Sequence, residues 1–366
     1  MKKVPQHGGQ VYEFARSQPH SLEESLQSVL DFSASINPIV PNIDWIQLIH
    51  KAQITIPHYP DQKNELLKRA IGKRFELSPE QITLTNGISS AIMSLFSMIR
   101  PNRTLLFTPI YSEYQRAAQL HSQQVIEVPQ NQTTEFDFSV LTDQSVMVLV
   151  NPNTPQGQYQ SLESLEPIFR AAIAHNCWLL IDESFLPFIS LSSKASVRSL
   201  LEQAVAKKWI VLQSLTKYYA CPGVRIGTLF SAPNALDLHA DWQWPSWPIS
   251  MLDEQFLLQA LSDPNHDQKT HDFLKQERLS FINALAECDL IESVESGLAN
   301  FLFVKTRVAV AQLTPALEAH NILIRDCQNF GSGEFYCRVA IKTTEQNQQF
   351  IKSLQNISNW IQVQHP

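Results

Sequence analysis

The stretch "VLQSLTKYYACPGVRIGTLF", residues 211–230, carries a β-branched, aromatic-rich run, then a lysine, then an arginine set between two glycines. The run reads as a strand. Lys217 falls at its end, where desolvation can lower an ammonium pKa and make the amine a nucleophile. A surface lysine at a strand end reads the same way, so the flanking sequence has to decide.

Outward from this stretch, short β-rich runs alternate with helical patterns. The runs are "RTLLFTP" (103–109), "QQVIEVP" (123–129), "SVMVLVNP" (145–152), "CWLLIDES" (177–184) and "KWIVLQSL" (208–215). Helical patterns between them include "GISSAIMSLFSMIR" (87–100) and "SLESLEPIFRAAIAHN" (161–176). This alternation implies an α/β fold, with a large, mainly parallel sheet covered by helices on both faces. In such sheets ligands bind at the carboxyl ends of the strands.

The texture changes after "HADWQWPSWPIS" (239–250), with its three Trp and two Pro. A long helical stretch over about 252–287 leads to "NFLFVKT", "NILIRDC" and "YCRVAIK", and then to an amphipathic helix. Residues 1–42 read as an N-terminal arm with one short amphipathic stretch (21–30). Residues 43–245 read as a large domain and 246–366 as a smaller α+β C-terminal domain.

The composition narrows the function classes. A net charge of −7 without basic runs argues against nucleic acid as the partner, and no apolar stretch approaches a membrane span. The N-terminus has two lysines but no apolar core after them, so it does not read as a signal peptide. Five scattered cysteines without a C-x-x-C pair fit reduced thiols in a cytoplasm, and no histidine pattern suggests a metal.

Several polar residues follow the strands, where the sheet rule puts a ligand. "TLTNGISSAI" sets Gly87, Ile88 and Ser89 at a helix start, whose N–H groups suit an anion; an ordinary N-cap looks the same. Asn151 ends one strand with a hydrogen-bond donor. Asp182 ends another after an almost wholly apolar run, as a cap, an ion-pair partner or the partner of a cationic ring nitrogen. Ser214, Thr216, Lys217 and Arg225 complete the set. Pyridoxal 5'-phosphate needs these parts: a lysine for its aldehyde, an acid for its ring nitrogen, a donor for its ring oxygen and a cationic cradle for its phosphate. Tyr111 of "PIYSEY" offers a face to stack on the ring.

Asn-Pro-Asn-x-Pro-x-Gly, Asp-Glu-x-Phe, Ser-x-x-Lys and Gly-Val-Arg-x-Gly occur here in the order and spacing of the fold type I pyridoxal-phosphate enzymes, which the chain resembles. The resemblance implies that Lys217 is the Schiff-base lysine, with Asp182, Asn151 and Tyr111 serving the ring. "HGGQVYEFA" (7–15), "LDFSASINPIVPN" (30–42), "HYPDQKNELLKRAI" (58–71) and "ILIRDCQNFG" (322–331) further resemble the threonine-phosphate decarboxylases, the branch beside the histidinol-phosphate aminotransferases. That likeness implies a phosphorylated amino acid as substrate, O-phospho-L-threonine, decarboxylated to 1-amino-2-propanol phosphate. Transamination of histidinol phosphate or a related amine is the alternative.

By the same resemblance, Arg338 would clamp the substrate carboxylate and Arg325 would help bind its phosphate. His7, Gly8 and Asn37 would close over the substrate, and Tyr59 would reach the cofactor phosphate of a neighbouring subunit in a homodimer. The chain departs from the usual pattern in four places. Ser184 stands where Ala is usual, and Phe185 where the aminotransferase branch has Tyr. "NPNTPQG" replaces a commoner loop, and Ile88 a polar residue.

Overall fold

The computed structural model describes residues 7–133, 135–203, 207–233, 235 and 244–364. Residues 239–243 of the Trp- and Pro-rich stretch lie outside them. Contacts divide the chain into two compact units, one of residues 39–154 and 159–268, the other of 1–38, 155–158 and 269–366.

The larger unit is built on a seven-stranded sheet. Its order is Ile82–Thr85, Gly227–Ser231, Trp209–Gln213, Trp178–Asp182, Ser145–Val150, Arg103–Thr108, Gln124–Pro129. Gly227–Ser231 pairs antiparallel with both neighbours and every other pairing between those strands is parallel, so the sheet is mainly parallel. The five central strands, Gly227–Ser231 to Arg103–Thr108, are buried on both faces, as runs without alternation require. On one face, Leu106, Val148, Leu180 and Leu212 join a core with helices Gly87–Ile99 and Ser112–His121. Their alternates Leu105, Met147, Leu179 and Val211 are buried as well.

Helix Met251–Ser262 packs on helices Trp45–Thr55 and Glu65–Phe75, which is why the chain stays with this unit to residue 268 rather than leaving it at 245. The long helical stretch expected over 252–287 is two helices, Met251–Ser262 and His266–Ala286. Pro264 stands between them, where it lacks the N–H that a continuous helix needs.

The smaller unit holds a four-stranded antiparallel sheet, Arg325–Asp326, Tyr336–Ala340, Phe301–Thr306, Ile291–Glu295. The N-terminal segment is part of its core. Leu30–Asp31 pairs in parallel with Ile322–Leu323, and Phe32 is fully buried against Phe281 and Phe350. Helix Leu22–Ser28 starts with a capping box, Ser21 and Glu24 each serving the other's backbone. Residues 155–158 join this unit because Gly157 and Gly297 pack backbone to backbone; a Cβ on Gly297 would lie 2.1 Å from Gly157. All five cysteines are buried thiols, and among the described residues no helix is long and apolar enough to cross a membrane.

Candidate active site

In the larger unit the polar residues follow strand ends, each held by neighbours. Asp182 ends strand Trp178–Asp182 and is buried. Tyr114 donates its phenol to Asp182 Oδ2 at 3.0 Å, and the Ser184 N–H donates to Oδ1 at 2.9 Å. Ser184 also accepts the Ser214 N–H on its hydroxyl at 3.0 Å. This gives the departure from Ala at position 184 a physical reason, since the hydroxyl ties the aspartate turn to the strand end that leads to Lys217. Burial and the Asp182 charge push the Tyr114 phenol well above its ordinary pKa, so it stays a donor.

Asn151 is buried just past strand Ser145–Val150 and makes a two-point contact with the Gln160 backbone. Its Oδ1 accepts the Gln160 N–H at 2.8 Å, and its Nδ2 donates to the Gln160 carbonyl at 2.9 Å. That pair fixes the amide plane and leaves Nδ2 a second hydrogen.

Helix Gly87–Ile99 begins at a glycine with φ +72°, and its Asn86 N-cap makes no side-chain capping bond. The early N–H groups of such a helix, Ile88 and Ser89 among them, have no intrahelical partner. A Cβ on Gly87 would lie 2.4 Å from Arg225 Nη2, so the guanidinium lies against the helix start. Gly227 has the same logic: its Cβ would lie 2.8 Å from the Ile88 nitrogen. Ser89 shares a 3.2 Å hydrogen bond with Tyr111, whose phenol is pushed up chiefly by burial and also feels Asp182 and Arg225.

Lys217 lies in the one-turn helix Leu215–Tyr218, with Nζ 5.4 Å from the centre of the Phe185 ring. Ser214 and Thr216 are buried, their hydroxyls 3.2 Å apart. Tyr59, by contrast, is 80% exposed and stacks on Trp247 at 4.6 Å.

These residues suit a phosphorylated pyridine aldehyde. The buried carboxylate suits a cationic nitrogen, and the guanidinium beside the N–H groups of a helix start suits a phosphate. Among the described residues no group of His, Cys, Asp or Glu is arranged to hold a metal.

In the smaller unit, Arg325 and Arg338 stand directly opposite each other on an antiparallel pair. Arg325 donates to Asn329 Oδ1 at 2.9 Å and lies over the Phe330 ring. Arg338 donates to the Ser33 carbonyl at 3.1 Å and lies over Phe301. Burial, with Arg325 beside it, lowers the Arg338 pKa to about 10. Gly8 fits against the Ser33 turn, where a Cβ would come 2.2 Å from the Ser33 carbonyl, and the Gly9 N–H donates to Ser33 Oγ at 2.8 Å. His7 is half-buried at the start of this segment. Asn37 is buried and donates to Thr270 at 2.9 Å.

The sequence reading missed the supporting groups: Tyr114, the hydroxyl role of Ser184, the Gln160 backbone, and the aromatic faces under both arginines. Only Tyr114 carried a local signal, since three residues on a helix put it on the Tyr111 side.

The fold and these motifs define the class: the chain belongs to the aminotransferase class I and II family, whose model matches residues 27–354, and has the fold of the type I pyridoxal-phosphate enzymes. It is similar to the threonine-phosphate decarboxylase of Salmonella typhimurium (strain LT2), 30% identical over 358 residues that cover 96% of each chain. In structure it resembles the histidinol-phosphate aminotransferase of Clostridium acetobutylicum, with TM-score 0.78 and 24% identity over 90% of this chain and 99% of that one. It also resembles the L-threonine-O-3-phosphate decarboxylase of Porphyromonas gingivalis, with TM-score 0.72 and 24% identity over 85% and 96%.

Proposed function

We propose that the chain is a pyridoxal-phosphate-dependent decarboxylase that converts O-phospho-L-threonine to 1-amino-2-propanol phosphate and CO2, working as a cytoplasmic homodimer. The observation that carries the substrate class is the Arg325–Arg338 pair. Two guanidinium groups directly opposite across a strand pair concentrate positive charge, which suits a ligand with two anionic groups. A phospho-amino acid brings a carboxylate and a phosphate. In this reading Arg338 takes the carboxylate and Arg325 the phosphate, with His7, Gly8 and Asn37 on the same substrate.

Pyridoxal phosphate supplies an electron sink for the bond broken at the substrate α-carbon. The chain's residues do the rest. Lys217 would hold the cofactor through its aldehyde. Asp182 would hold a proton on the ring nitrogen, Asn151 would donate to the ring oxygen, and Tyr111 would stack on the ring. Arg225, Ser214, Thr216, Ser89 and the N–H groups of Ile88 and Ser89 would neutralise the phosphate at Gly87. Arg338 would hold the substrate carboxylate, the group lost as CO2, and Lys217 or a water would supply the proton that replaces it.

The dimer is supported by an exposed apolar face on the larger unit. Helix Trp45–Thr55 leaves Trp45, Ile46, Ile49 and Ile54 exposed, and Tyr59 follows it. Such a patch marks an interaction surface, and Tyr59 would reach the cofactor phosphate of the second copy.

The 30% likeness to a threonine-phosphate decarboxylase over the whole chain supports the decarboxylase over the aminotransferase. The test is a direct competition between the two activities. Holoenzyme is given either O-phospho-L-threonine, or histidinol phosphate with 2-oxoglutarate. Turnover of the first with 1-amino-2-propanol phosphate as product is expected; turnover of the second alone would overturn the reading.

A further inference from the structure

We propose that Tyr114 is a positioning residue for the carboxylate of Asp182, presenting it to the cofactor's ring nitrogen already oriented. The inference rests on the reading of Asp182 given above and adds a residue to which the sequence reading gave no role.

Tyr114 lies three residues past Tyr111 in the segment that enters helix Ser112–His121, and the two rings meet edge-on at 6.3 Å. Its side chain is fully buried in an apolar core that includes Ala117, Ala118 and Val150. Phenylalanine would fill that volume without carrying a hydroxyl out of water, which costs free energy unless the group is bonded. The hydroxyl is bonded once, to Asp182 Oδ2 at 3.0 Å. The other carboxylate oxygen takes the Ser184 N–H at 2.9 Å. Each oxygen is therefore held by a different segment, and the carboxylate plane is set by two donors. Burial raises the phenol well above its ordinary pKa, so it stays protonated and donates to the carboxylate.

The experiment compares Tyr114→Phe with the wild-type protein in cofactor affinity, absorbance spectrum and turnover. A hydrogen bond to a charged group corresponds to roughly a tenfold or greater effect. The dissociation constant for pyridoxal phosphate should rise by about that factor and kcat should fall, while KM for O-phospho-L-threonine stays within about twofold. In an Asp182→Asn background, Tyr114→Phe should add little, because the charge it serves is gone. A Tyr114→Phe protein with a lower Tm but unchanged cofactor affinity and spectrum would make the residue a packing group only. Full additivity with Asp182→Asn would overturn the proposal equally. A wild-type protein that takes up no pyridoxal phosphate would instead overturn the cofactor site itself, a separable result.

Discussion

The larger unit surrounds its acid, Asp182, with donors from two segments, whereas the smaller unit sets two cations, Arg325 and Arg338, face to face across a strand pair. The first arrangement is complete within the protein. Asp182 has Tyr114 and Ser184, Asn151 has Gln160, and the Ser214 backbone has the Ser184 hydroxyl. Its hydrogen bonds fix geometry before any ligand arrives, which is what preorganised electrostatic catalysis needs. The second arrangement concentrates positive charge, which suits an anionic ligand. In the proposed reading catalysis and substrate choice are separable, and variants in each region should fail differently.

The largest effect should come from Lys217. Lys217→Ala should abolish turnover, and borohydride treatment, which should fix the cofactor to the wild-type protein, should leave no stable adduct on the variant. An adduct at the wild-type level would remove the lysine from its role. Asp182→Ala should come next, lowering kcat by orders of magnitude through loss of an electrostatic partner of the reacting system. A near-wild-type kcat would make that carboxylate structural.

The arginine pair should respond through substrate discrimination. Arg338→Ala should weaken all α-amino acids alike, by roughly the tenfold or more expected of a lost charge-assisted contact. Arg325→Ala should weaken O-phospho-L-threonine far more than L-threonine. Equal losses for the two substrates in the Arg325 variant would break the proposed division between carboxylate and phosphate.

The smallest effect concerns stability. Glu183 is buried beside Asp182, accepting from Ser196 Oγ at 2.6 Å and from the Val197 N–H at 2.8 Å. Burial pushes its carboxyl up to about 7. A carboxyl raised in the folded state binds its proton more tightly there, so its stabilising contribution is full below the unfolded pKa of about 4.5. That contribution is lost as pH rises through about 7. Glu183→Gln should therefore shrink the fall in Tm between pH 5 and pH 8. An unchanged pH profile would show that the folded protein holds this carboxylate ionised.

The fold was legible wherever an element was long and apolar. The five β-rich runs of the larger sheet and its helices follow directly from the alternation of patterns along the chain. What the sequence hid was short or non-local. Leu30–Asp31 is a strand of two residues, too brief for any periodicity, yet it ties the N-terminal segment into the smaller unit. Residues 155–158 belong to that unit only because Gly157 and Gly297 meet in space. The candidate site divides in the same way. Lys217, Asp182, Asn151 and Arg225 stand out because their chemistry is unusual at a strand end. Ser184 is only a departure from Ala in the sequence, because the Ser214 N–H that its hydroxyl accepts lies 30 residues along the chain.

The most direct test of the central claim omits the amino acceptor. Holoenzyme is mixed with O-phospho-L-threonine in the absence of any 2-oxo acid, and CO2 is counted against active sites while the cofactor spectrum is followed. A decarboxylase needs no acceptor, so many equivalents of CO2 per site are expected with the cofactor remaining as the aldehyde form. One turnover without CO2, ending in the pyridoxamine spectrum, would contradict the account and make the protein an aminotransferase.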